Sequence, residues 1–115
     1  MITDAGKNAT ADLLIGTNGF THIAVGDGGD DTASSQNTLD NEVFRKAADS
    51  KTVVGNTIVY TVSFTGADLL SNVISEMGVF DDASAGSMLS RVNFKSIGPL
   101  ASNETLSFTF RVVIP

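Results

Sequence analysis

Between residues 4 and 15 the apolar positions recur at helical spacing, with Ala5, Ala9, Leu13 and Leu14 near one face. Thr3 or Asp4 is placed to cap this helix, and Gly16 to stop it. Its stripe is thin, mostly Ala before Leu13, so it has to lie against a sheet or a neighbouring chain to be stable. Beyond Gly16 the period changes from helical to alternating. Residues 20–25 read as a strand, with Phe20, His22 and Ala24 on one face and Ile23 and Val25 on the other. A second strand is expected over 42–47. Residues 57–65 alternate strictly, Ile58, Tyr60, Val62 and Phe64 against Thr57, Thr61, Ser63 and Thr65. Residues 105–114 do the same, with Leu106, Phe108, Phe110, Val112 and Ile114 on the apolar side. Such strands bury one face and wet the other. Residues 72–80 and 88–97 flank a polar connection, which predicts a hairpin with a loop longer than two residues, ended by Gly98-Pro99. The expected fold is mainly β: an antiparallel sandwich or curved sheet of about six strands behind one N-terminal helix, forming one domain over 1–115.

Gly26-Asp27-Gly28-Gly29-Asp30-Asp31 interrupts this pattern, and a polar stretch follows to Asn37. Glycine is costly to hold in regular structure and aspartate favours turns, so the segment is expected to be a long exposed loop.

The chain has 115 residues, enough for one core without staples, and no cysteine, which excludes disulfides, thiolate metal sites and cysteine nucleophiles. Its apolar fraction of 42% argues against disorder. No apolar run is long enough for a membrane-spanning helix, and residues 1–4 do not open a secretory signal. Thirteen acidic against seven scattered basic residues give a net charge of −6, which disfavours a nucleic-acid partner. Ten of the acids are Asp, suited to turns and caps, and this acidity is compatible with a high-salt host or an ordinary acidic surface.

His22 is the one histidine, so a zinc site lacks its usual ligands, and a hydrogen-bonded strand residue is the simpler reading. Asp27, Asp30 and Asp31 are a candidate start to a calcium shell, but EF-hand spacing is missing, and the favoured assignment is no metal and no cofactor. Gly26, Gly28 and Gly29 lack the lysine and the helix N-terminus of a phosphate cradle. Glu76 sits in an otherwise apolar strand. Alone it suits an ion pair or a set of backbone amides better than acid catalysis, with Arg45 or Arg91 as its partner. Two glycosylation sequons, at Asn8 and Asn103, are near chance in a chain of this composition. No constellation of catalytic residues emerges, and the expectation is a non-enzymatic protein.

Several segments, taken in order, carry a resemblance. Ile2-Thr3-Asp4-Ala5-Gly6 opens the helix, and His22-Ile23-Ala24-Val25-Gly26 precedes the Gly/Asp loop. Asp40-Asn41-Glu42-Val43-Phe44-Arg45-Lys46 follows a Thr-Leu pair. Val73-Ile74-Ser75-Glu76-Met77-Gly78-Val79-Phe80-Asp81 is followed by Gly86-Ser87-Met88-Leu89-Ser90-Arg91. The set resembles small virion proteins of tailed viruses related to the phage tail-collar fibre family, and it spans Ile2 to Arg91. With no fibre shaft or receptor-binding tip expected after Pro115, an adaptor or collar element is expected in place of a whole fibre.

The resemblance implies a mechanical role in the virion, in the tail tip, baseplate, collar or fibre attachment. The partners would be other virion proteins, with assembly in the host cytoplasm. It also implies a homo-oligomer, with three-fold symmetry expected because a closed ring repeats one interface. Glu42, Arg45, Glu76 and Arg91 are the expected polar bracing of the fold. Gly26, Gly28, Gly29, Leu13, Leu14 and Val113 are the interface candidates; Val113 and Val59 point to the polar side of their strands. Two alternatives stand beside this one: a head decoration or turret protein, and a carbohydrate- or calcium-binding surface-recognition module. The sugar reading is disfavoured by the absence of Trp and by an inward-facing Tyr60.

Overall fold

The computed structural model describes residues 1–16, 19–29 and 35–115. Helix α1 (Asp4–Leu14) is followed by β1 (His22–Gly26), β2 (Glu42–Ala47), β3 (Ser50–Val54) and β4 (Thr57–Thr65). A one-turn helix α2 (Gly66–Leu69) leads to β5 (Ile74–Phe80), β6 (Met88–Ile97) and β7 (Thr105–Val113). Two antiparallel sheets result, ordered β2-β1-β5-β6 and β3-β4-β7. The fold is therefore the mainly β sandwich that the alternation predicts, with seven described strands where about six were expected.

The core lies between the sheets. Ile23 and Val25 of β1, Met77 and Val79 of β5, and Ile58, Tyr60, Val62 and Phe64 of β4 meet there, joined by Phe110 of β7. Strand β4 alternates between buried and half-buried residues along its length, because it is the central strand of its sheet and is wetted on one face only. The Tyr60 hydroxyl donates to the Phe20 carbonyl at 2.8 Å, which satisfies the one polar atom that this side chain brings into the core.

Two additional elements come from short local signals. Strand β3 returns to β4 through Gly55-Asn56, and Gly55 has φ 63, a conformation glycine adopts without a Cβ penalty. Helix α2 is held by a capping box in which Thr65 and Asp68 each bind the other's backbone N–H.

Helix α1 presents a different face from the one its alanines suggest. Thr3 is the cap, its hydroxyl accepting from the Gly6 N–H at 3.1 Å. Ala11 is buried, and Leu14 and Ile15 pack on the core. Ala5 and Ala9 are exposed and Leu13 is 78% exposed. The chain continues from Leu14 and Ile15 toward the sheets, and this fixes the helix rotation in favour of the stripe through Ala11. Leu13 thus remains a surface residue, whereas Leu14 is committed to the core.

Candidate functional site

The charged residues expected to brace the fold gather on the outer face of the four-stranded sheet. Strand register explains why. Arg45, Ala24, Gly78 and Arg91 form one row across β2, β1, β5 and β6, and Glu42, Gly26, Glu76 and Asn93 form the next. Side chains opposite one another across antiparallel strands share a face. Of the four central positions in these rows, three (Ala24, Gly26 and Gly78) carry a methyl group or less beside Glu76, which leaves room for covering chain between the flanking arginines. The chain approaching β2 takes that place: Leu39 is buried there with Ala24 and Phe80, and Met88 packs alongside. A Cβ on Gly78 would come within 3.1 Å of Leu39 and Phe80. This cover explains why all seven residues of β5 are buried.

Glu76 is the polar centre of the arrangement and is 0% exposed. Its Oε1 accepts the Asp40 N–H at 2.9 Å and the Arg91 Nε and Nη2 at 3.2 and 2.8 Å. Its Oε2 accepts the Gly28 N–H at 2.8 Å and the Asn41 N–H at 2.9 Å. Burial alone would push this carboxyl up. The amides of Asn41 and Asp40, the Arg91 guanidinium and the Gly28 amide outweigh it and hold the carboxyl below its ordinary 4.5. Arg91, with a side chain 3% exposed, also reaches Asp40 Oδ2 at 3.2 Å, so the buried cation is itself shared between two carboxylates. A carboxylate filled by donors on both oxygens is fitted to hold backbone in place.

Gly28 and Gly26 make this approach feasible. A Cβ on Gly28 would lie 2.5 Å from Glu76 Oε2 and 2.2 Å from the Asp40 Cβ; one on Gly26 would lie 2.3 Å from the Asn41 carbonyl oxygen. The Ser75 hydroxyl donates to the Gly28 carbonyl at 2.7 Å, fixing the same residue from its other side. The expectation of an exposed contact loop beginning at Gly26 is thereby corrected. Gly26 is the buried last residue of β1, Gly28 is half-buried against Glu76, and Gly29 alone of the three is exposed. Asp27 accepts from the Asn41 side-chain amide at 2.5 Å, while Asp30 and Asp31 lie outside the described residues. Among the described residues no group of three or more His, Asp or Glu is positioned to hold a metal ion.

Arg45 makes a second clamp. Its Nε and Nη2 bind Glu42 at 3.1 and 2.6 Å, and its Nη1 donates to the carbonyls of Asp82 and Ala85 at 3.0 and 2.7 Å. The guanidinium lies 3.7 Å from the centroid of the Phe80 ring. One side chain of β2 therefore ties down the connection between β5 and β6. Of the two partners open to Glu76 from sequence, the geometry selects Arg91 and gives Arg45 to Glu42. His22 is half-buried, with its Nδ1 3.0 Å from the Thr21 hydroxyl.

Backbone amides were expected as one kind of partner for Glu76, but that they belong to Gly28, Asp40 and Asn41 is what sequence reasoning missed. They lie 35 to 48 residues from Glu76 and bind through groups that every residue carries. The usable signal is arithmetic: a buried carboxylate has more acceptor sites than one arginine fills, so further donors must be present. No protein-family model and no curated protein matches the chain.

Proposed function

We propose that the chain is a non-enzymatic structural protein of a tailed-virus particle, an assembly or adaptor module of the tail tip, baseplate, collar or fibre attachment. It works as a homo-oligomer among other virion proteins. The observation that carries this reading is the convergence of Glu42, Arg45, Glu76 and Arg91 on one sheet face, where they clamp two connecting segments. All four lie in segments that resemble the tail-collar fibre family. Their hydrogen bonds are turned inward, onto amides, carbonyls and one another, as a load-carrying module requires. A site for proton transfer needs a carboxylate with a free oxygen facing a substrate, and Glu76 offers none. Exposed valines at Val54 (69%) and Val113 (59%), on the hydroxyl-rich face of the other sheet, leave surface for subunit contacts.

Quantitative mass spectrometry of purified particles, with separated heads and tails, tests the reading. The chain is expected in a fixed multiple-copy ratio to the major virion proteins and in the tail fraction. Absence from washed particles would overturn the reading, and recovery with isolated heads would move the protein to the capsid surface.

A further inference from the structure

Asp27-Gly28 is the one Asp-Gly pair in the sequence. Where glycine follows aspartate, the glycine nitrogen can attack the side-chain carbonyl carbon, because no Cβ shields it. In that step a bond forms from Gly28 N to Asp27 Cγ. The amide proton and the carboxyl hydroxyl leave together as water, and a cyclic succinimide results. Water then opens the ring at either carbonyl. One opening restores aspartate; the other leaves isoaspartate, in which the main chain runs through Cβ and Cγ and is one methylene longer. The attack needs a Gly28 nitrogen and an Asp27 carboxyl that are both free to turn toward each other.

The fold cannot avoid this dipeptide by replacing its glycine. A Cβ on Gly28 would lie 2.2 Å from the Asp40 Cβ and 2.5 Å from Glu76 Oε2. Burial does not shield the pair either, since Asp27 and Gly28 are half-buried and Gly29 beside them is exposed. Hydrogen bonds hold it instead. The Gly28 N–H donates to Glu76 Oε2 at 2.8 Å, and the Gly28 carbonyl accepts the Ser75 hydroxyl at 2.7 Å. The Asp27 N–H donates to the Asn41 carbonyl at 3.1 Å, and Asp27 Oδ1 accepts from Asn41 Nδ2 at 2.5 Å. Each reacting group is thus tied to a different partner, the nitrogen to Glu76 and the carboxylate to Asn41. Glu76 is poorly fitted to promote the attack as a base, because its oxygens also accept from Asp40, Asn41 and Arg91.

We propose that the Glu76 clamp guards the Asp27-Gly28 bond against isoaspartate formation, and that Asp27 is the site at which the chain is chemically altered once the clamp opens. The alteration also keeps the clamp open. A methylene inserted between Asp27 and Gly28 shifts the Gly28 N–H at a position where a single added carbon already overlaps its neighbours. The guard operates whatever particle or partner the chain serves.

The rate of isoaspartate formation at Asp27 near neutral pH tests this, read by peptide mass spectrometry with fragmentation that separates isoaspartate from aspartate. Asn18-Gly19 yields isoaspartate by a separate route that raises the mass, so the product is assigned by fragment position. The same chain unfolded in guanidinium gives the unguarded rate. The folded parent is expected to react roughly a hundredfold more slowly, as two hydrogen bonds each worth about tenfold imply. Glu76→Gln weakens the hold on the nitrogen and should quicken the folded chain about tenfold. Asn41→Ala removes the amide that holds the carboxylate, should quicken it by a similar factor, and decides the matter should Glu76→Gln not fold. Val62→Ala opens a cavity in the core and leaves the clamp contacts in place. At a comparable loss of stability it should stay near the parent's rate.

A folded parent that isomerises as fast as the unfolded chain would overturn the proposal. So would a folded clamp variant, either one, that reacts no faster than the parent, or a Val62→Ala chain that reacts as fast as the clamp variants. A slower Glu76→Gln would make Glu76 the base of the reaction instead of its guard.

Discussion

At Glu76, burial and hydrogen bonding compete over a single carboxyl, and the donors win. Removing this side chain by Glu76→Ala leaves the Arg91 guanidinium buried and three backbone amides without their acceptor. Loss of one partner from a buried pair costs about 3–5 kcal/mol, to be read as a lowered midpoint in denaturant unfolding. Gly28→Ala tests the same clamp from the loop side. Its Cβ would overlap Glu76 Oε2, so a loss of about 1–3 kcal/mol is expected. An unchanged midpoint in both variants would remove the clamp from the account. Tyr60, the one tyrosine, gives an unobstructed optical readout. Burial raises its phenol from 10.0 to about 12. The neutral form is the one the fold favours, so the associated stability is complete below pH 10 and is lost as pH rises toward 12. Tyrosinate absorbance should appear near the upper value, and a transition near 10 would contradict the buried placement. That Glu76 is braced could be read from its apolar neighbours. Which amides would donate to it could not, because backbone groups leave no residue-type signature and these come from distant segments.

Among the elements, those with long alternating patterns were the most legible. Strand β4 is found at the expected residues 57–65, and β2 and β6 also match their expected bounds. Strand β3 was missed because Ser50-Lys51-Thr52 reads as loop, although Gly55-Asn56 between Val54 and Thr57 is a hairpin signal. Helix α2 was missed because one turn is too short for periodicity to register, and only its Thr65-x-x-Asp68 capping box marks it. In α1 the alanines allowed two apolar faces, and the choice was made by Leu14 and Ile15, where the chain meets the sheets. The connection between β5 and β6 depends on Arg45. Arg45→Ala removes two hydrogen bonds to its carbonyls and the Phe80 stacking, so hydrogen exchange over residues 81–87 should quicken roughly tenfold while β4 exchange is unchanged. Equal acceleration in both regions would show global loosening instead of a released loop.

For the whole molecule, the sandwich divides its two outer faces between different tasks. The face of the four-stranded sheet is filled by its own chain, with charges satisfied beneath Leu39 and around Phe80. The face of the three-stranded sheet is lined by Ser and Thr with exposed Val54 and Val113, and ends in the open edge of β7. The fold class was legible because period-two alternation dictates sheets with one wet face. The division of labour was not, since it depends on which strands become neighbours. The central claim is that a buried, ionised Glu76 pins the outer cover and thereby supports the entire fold. A group whose folded value is depressed contributes stability that is complete above its unfolded value and disappears as pH falls through the folded one. Global stability of the parent and of Glu76→Gln, measured across acid pH, reads this directly. The account predicts that the parent is more stable by a constant margin above pH 4.5, and that this margin closes as pH drops further. Equal stability of the two proteins at neutral pH, or a margin that survives unchanged into strong acid, would contradict it.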